Sequence, residues 1–175
     1  MHIIIDGYNL IRQSDTLRRF EKTSLEGGRK ALIRFILPYK QVKDHRITIV
    51  FDGWKTGSPM EERDREGGMD IIYSRRGEKA DEVIKQIAET SGDEILVVTS
   101  DRNIVSFVER RGGTAISSRD FEAIISMKSW ETAVTPKTTE GKGDEDDDPP
   151  ENRKKGASKR LSRRERDYRK RVWKL

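Results

Sequence analysis

The stretch His2-Ile3-Ile4-Ile5-Asp6-Gly7-Tyr8-Asn9 decides the reading of this chain, because an apolar run ends abruptly on a carboxylate and a glycine. Consecutive isoleucines without polar alternation fit a strand covered on both faces, as in a parallel sheet. The form recurs twice. Ile47-Thr48-Ile49-Val50-Phe51 runs into Asp52-Gly53, and Ile95-Leu96-Val97-Val98 runs through Thr99-Ser100 into Asp101. These segments predict strands over residues 2–5, 47–51 and 95–99, with two more over 70–73 and 114–116.

Between the strands the apolar spacing changes to that of a helix. Leu32, Ile33, Ile36 and Leu37 form one stripe in a helix expected over residues 25–42. Ala80, Val83, Ile84, Ile87 and Ala88 form another over residues 80–89, and shorter helices are expected over 103–110 and 120–127. The order β-α-β-β-α-β-α-β-α predicts a three-layer, doubly wound α/β domain over residues 1–130, with a mostly parallel central sheet. Such sheets bind ligands at the carboxyl ends of their strands.

Charge divides the chain at the same place. Residues 1–135 hold 22 basic and 22 acidic side chains, residues 136–150 two and six, and residues 151–175 twelve and three. A neutral domain is thus expected to carry an acidic linker over residues 131–150, with Pro149-Pro150 at its end, and a basic extension over residues 151–175. Leu161, Tyr168, Val172 and Leu175 fall on one helical face of that extension. They could pack back on the domain, but the density of positive charge favours RNA contact through residues such as Arg163, Arg164, Tyr168 and Arg169. The chain has no cysteine, which excludes disulfides and thiolate metal sites. Its apolar start is too short for a secretory signal and no stretch could span a bilayer, so a cytoplasmic protein without a membrane partner is expected.

Three strand ends deliver Asp6, Asp52 and Asp101 to one edge of the predicted sheet. Gly77-Glu78-Lys79-Ala80-Asp81-Glu82 opens the helix that should return Asp81 to the same edge, beside its buried stripe. Any one of these aspartates could be a helix cap or turn residue. Together they form a cluster whose mutual repulsion a cation would relieve. Oxygen ligands without histidine or cysteine suit Mg²⁺ or Mn²⁺, and such a site can polarise a phosphodiester. Asn9 could cap the next segment or orient a metal-bound water, and Thr99 and Ser100 could cap a helix or bind phosphate.

Asp6-Gly7-Tyr8-Asn9, Phe51-Asp52-Gly53, Ala80-Asp81-Glu82 and Thr99-Ser100-Asp101, in that order, resemble the NYN domain in its YacP-like branch, within the PIN-like nucleases. The resemblance spans roughly residues 1–130. It implies a PIN-like α/β/α sandwich and Mg²⁺- or Mn²⁺-dependent endoribonuclease activity on single-stranded RNA or mRNA. It makes Asp6, Asp81 and Asp101 the metal-binding catalytic set, with Asn9 and Asp52 in support. Family members include a ribosome-associated enzyme, and the superfamily often pairs, so a ribosome and a homodimer are implied partners.

Basic groups must offset the acidic site if a phosphate strand is to enter it. Arg12, Lys55, Arg75, Arg76 and Arg102 follow or precede the acidic motifs, and Trp54 or Tyr8 could stack an unpaired base. Competing phosphotransfer chemistries fit poorly. A dehalogenase-like site wants a second aspartate where Tyr8 stands, and a receiver wants a lysine where Ser117-Ser118-Arg119 stands. Neither a Walker loop nor a dinucleotide glycine motif is present. The remaining alternative is a catalytically silent RNA- or ribosome-binding adaptor on the same fold.

Overall fold

Alternation along the central strands creates the layers. Ile3 and Ile5 of β1 (His2–Asp6), Ile47, Ile49 and Phe51 of β2 (Arg46–Phe51), and Leu96 and Val98 of β5 (Ile95–Val98) enter one buried cluster. Ile4, Val50 and Val97 enter another, on the opposite face. The computed structural model describes residues 1–53, 59–134 and 163–175.

The first face is covered by α1 (Gly7–Gln13), α2 (Leu17–Thr23), α3 (Leu25–Val42) and α6 (Ser118–Val134). The second is covered by α4 (Ala80–Thr90) and α5 (Arg102–Arg110), through Val83, Ile84, Ile104 and Val108. With β3 (Glu62–Glu66), β4 (Met69–Tyr73) and β6 (Thr114–Ile116) the sheet has six strands in the order β3-β4-β2-β1-β5-β6. All neighbouring pairs are parallel except β3 with β4. The expected mixed, mostly parallel α/β architecture is therefore the one found.

Three elements had no counterpart in the sequence reading. β3 is exposed along its whole length and carries only charged residues, so it shows no apolar signal. Its trace lies instead in Gly67 and Gly68, whose positive φ values of 58° and 77° make the two-residue hairpin turn into β4. Helices α1 and α2 have seven residues each, too few to display a stripe over several turns.

The carboxyl-terminal segment differs more from expectation. Helix α7 (Arg163–Trp173) packs against edge strand β6, with Arg171 donating to the Gly112 carbonyl just before the strand begins. Leu175 is fully buried in the first-face core and Val172 packs against it. Arg171 also donates to Thr114 Oγ1 at 2.7 Å and to Glu94 at 3.0 Å, while Lys174 donates to Glu94 at 2.6 Å. The folded unit therefore does not end near residue 130: α6 continues to Val134, and the last turn of α7 belongs to the same core. Two apolar side chains and a glutamate with two cationic partners outweigh the self-repulsion of the basic helix. The docked helix also covers a strand edge that would otherwise expose backbone. Apart from residues 131–134, the expected acidic linker lies outside the described residues.

Candidate active site

The chain leaves β1 for helices on one face and leaves β5 for helices on the other, and these two strands are neighbours in the sheet. A crevice must open where their paths diverge. Asp6 and Asp101 stand at its two sides. Asp6 is the N-cap of α1, its Oδ1 accepting the Asn9 N–H at 3.2 Å, and Asp101 is the N-cap of α5, its Oδ1 accepting the Asn103 N–H at 2.7 Å. Capping and site chemistry are thus compatible uses of the same carboxylates, since capping occupies one oxygen and draws the charge to a helix N-terminus.

Thr99 links the pair. Its hydroxyl donates to Asp6 Oδ2 and accepts the Asp101 N–H, each at 3.1 Å. Gly7 permits the tight exit from β1: a Cβ there would come within 2.4 Å of the Phe51 ring and 3.0 Å of the Val50 carbonyl.

Asp81 in the first turn of α4, and Asp52 after β2, line the same cavity of about 580 Å³ as Asp6 and Asp101. Burial pushes the Asp6 carboxyl up to about 6, with the charges of Asp81 and Asp101 adding to the effect against the bonds from Asn9 and Thr99. Asp81 is also pushed up, first by burial and then by Asp101. All four aspartates singled out in the sequence thus share one cavity.

Asn9 lines the cavity too, but its side-chain oxygen is already committed. It accepts the Ser100 N–H at 3.0 Å and the Ser118 hydroxyl at 2.8 Å, tying the loop after β5 to the start of α6. Ser74, which the sequence reading missed, has the matching role on the other side. Its hydroxyl accepts the Gly53 N–H at 2.9 Å and donates to the Glu78 carbonyl at 2.7 Å, joining the segment after β2 to the approach to α4. A buried serine one residue past a strand is too common to announce such a tether in sequence.

Of the expected basic residues, Arg12 lines the cavity, where it pairs with Glu21 at 3.1 Å. Arg75, Arg76 and Arg102 are exposed on segments at the same edge, and Arg75 pairs with Glu78. Arg169 and Tyr168 are exposed on α7; of Arg163 and Arg164 the backbone alone is described, and Trp54 and Lys55 lie outside the described residues. Tyr8 is not a base platform: it is 7% exposed, packs edge-on against Phe51, and has the guanidinium groups of Arg12 and Arg29 over its ring. Arg29, absent from the sequence reading, joins the cavity wall from α3.

Among the described residues no three acidic or histidine side chains converge closely enough to ligate one ion directly. The donor set nevertheless suits a hard divalent cation, since burial first and then the neighbouring carboxylates push Asp6 and Asp81 toward protonation, a cost a bound cation would relieve. Mg²⁺ commonly binds through one or two carboxylates and keeps several waters, which matches carboxylates that share a cavity without meeting at a point.

The domain is mostly parallel α/β, with an acidic crevice at its switch point. The chain belongs to the YacP-like NYN domain family, a nuclease superfamily, whose model matches residues 3–173. That span includes all of α7. YacP of Bacillus subtilis (strain 168) is 28% identical over 102 residues, a stretch covering 57% of this chain and 59% of YacP. The crystal structure of Rae1 (YacP) from Bacillus subtilis matches with a TM-score of 0.64 at 24% identity, covering 76% of this chain and 78% of that one. The crystal structure of a single-substitution mutant of Rae1 matches with the same TM-score at 23% identity, over 75% and 79%. Among the described residues no helix is long and apolar enough to cross a membrane.

Proposed function

We propose that this chain is an Mg²⁺- or Mn²⁺-dependent endoribonuclease acting on single-stranded RNA. One observation carries the reading: Thr99 bridges Asp6 and Asp101 at the switch point, and Asp81 reaches the same cavity from another element. A fold needs no cluster of aspartates in an open crevice for its own stability, and burial makes Asp6 costly there.

Asp6, Asp81 and Asp101 are the residues that would hold the ion, which when bound supplies a polarised phosphodiester and a water of lowered pKa. The chain's own part is positioning. Thr99 fixes the spacing of Asp6 and Asp101, Asn9 fixes the loop that carries Asp101, and Ser74 fixes the approach to Asp81. Arg12, Arg75, Arg76 and Arg102 would draw the strand to the rim, with strong salt dependence.

The test is cleavage of single-stranded RNA with Mn²⁺ or Mg²⁺, repeated with chelator and with Asp81→Asn. Cleavage abolished by both controls is expected. Cleavage that survives both, or a folded wild type that binds RNA without ever cutting it, would sink the reading and leave an RNA-binding adaptor.

A further inference from the structure

Arg29 is held as few surface arginines are. Its Nε donates to the Tyr8 hydroxyl at 2.8 Å, and its guanidinium lies 4.8 Å from the Tyr73 ring centroid and 5.5 Å from those of Tyr8 and Phe51. The rings are themselves fixed. Phe51 and Tyr73 stack at 5.6 Å, and Tyr8 meets Phe51 edge-on at 5.3 Å. Arg29 projects from α3, whereas Asp6, Asp81 and Asp101 reach the same cavity from β1, α4 and the start of α5.

The neighbouring Arg12, by contrast, is ion-paired with Glu21. Arg29 makes its direct contacts with a phenol and three rings, and the carboxylate that feels its charge, Glu26 one turn back on α3, is itself paired with Lys30. Half-burying a cation among aromatic rings is costly, and an aliphatic side chain would fill the same space at lower cost. The cage restricts the stem and uses Nε, leaving the fork of terminal nitrogens preorganised for a planar or tetrahedral oxyanion. Cation–π contact holds such a group without cancelling its charge.

Building on the nuclease reading above, we propose that Arg29 is the phosphate-gripping residue of this cavity, binding non-bridging oxygens of a backbone phosphate in a single-stranded RNA. It faces the cavity with fixed positive charge where the aspartates supply negative charge. A strand entering between them would be held by Arg29 on one wall while the acidic wall acts on the linkage. Arg29 contributes binding and register rather than proton transfer.

The probe is a fluorescently labelled oligouridylate, with affinity measured in chelator across a salt series for the full chain, Arg29→Met and Arg29→Lys. Arg29→Met is expected to weaken binding roughly ten- to hundredfold and to reduce the magnitude of the log–log salt slope by about 0.7, the loss of one single-strand phosphate contact. Arg29→Lys keeps the charge and so the slope, but lacks the fork and is expected to lose at least roughly threefold in affinity. Wild-type affinity and slope in a folded Arg29→Met protein overturn the proposal. Should that variant fail to fold, unchanged affinity in Arg29→Lys overturns it instead. Binding in chelator requires no cleavage, so the two readings separate. A wild type that never cleaves, but whose affinity depends on Arg29 as stated, refutes the nuclease and supports the phosphate grip. A wild type that cleaves, alongside an Arg29→Met protein with unchanged affinity, refutes the grip alone.

Discussion

Asp6→Asn should make the metal-free protein more stable at neutral pH while abolishing cleavage. Asp6 is 8% exposed, and its carboxyl is pushed from 3.8 up to about 6, chiefly by burial. Between those two values the folded state binds more protons at this position than the unfolded chain does. Stability therefore falls as pH rises from about 4 through about 6 and stays lowered above it, by about 3 kcal/mol for this group. Asparagine removes that cost. It keeps one acceptor for the Asn9 N–H or the Thr99 hydroxyl and weakens the other bond, a loss of about 1 kcal/mol. A net gain of about 1–2 kcal/mol is expected at pH 7, shrinking to nothing below about pH 4, where aspartic acid and asparagine are both neutral. Urea unfolding of both proteins in chelator from pH 4 to pH 8 measures it, and taking the difference cancels the titration of other groups. Adding Mg²⁺ should reverse the order, because only the wild type gains a full complement of ligands. An Asp6→Asn protein less stable than wild type at every pH, or a difference that does not grow between pH 4 and pH 6, would refute the electrostatic account of the site.

Other consequences are independent of that one. His2 is buried with Nε2 2.8 Å from Thr48 Oγ1, and burial followed by the Arg46 charge lowers its pKa from 6.5 to about 4. The unfolded chain binds the extra proton in that window, so stability should fall as pH drops from about 6.5 to about 4, and His2→Gln should flatten this acid limb in urea titrations. Leu175→Ala should cost about 2–4 kcal/mol in the urea midpoint despite lying at the chain's last position, because the side chain is fully buried; a change below about 0.5 kcal/mol would mean that α7 is not docked in solution. Asn9→Ala should cost about 1–3 kcal/mol in urea unfolding and lower cleavage through misplacement of Asp101, since it orphans the Ser100 N–H and the Ser118 hydroxyl.

The sequence by itself determined the central strands, the sheet edge that bears the site, and the aspartates that reach it. Apolar runs such as Ile3-Ile4-Ile5 report burial on both faces, and their abrupt ending on Asp6 or Asp101 marks where a strand leaves the core. Those are local signals, and a parallel sheet converts them into one shared edge. Tertiary structure alone decided how the edge is assembled. Thr99 could have been a cap or a phosphate ligand until β1 and β5 became neighbours and its hydroxyl met both the Asp6 carboxylate and the Asp101 backbone N–H. Arg29 gave no signal because its cage draws Tyr8, Phe51 and Tyr73 from three distant segments. The basic carboxyl-terminal helix was read for its charge, which dominates its composition, whereas its placement rests on Val172, Leu175 and the Glu94 pairings. Charge density is visible residue by residue, but the burial that fixes a helix depends on a complementary surface elsewhere in the chain, and that surface exists only once the sheet has formed.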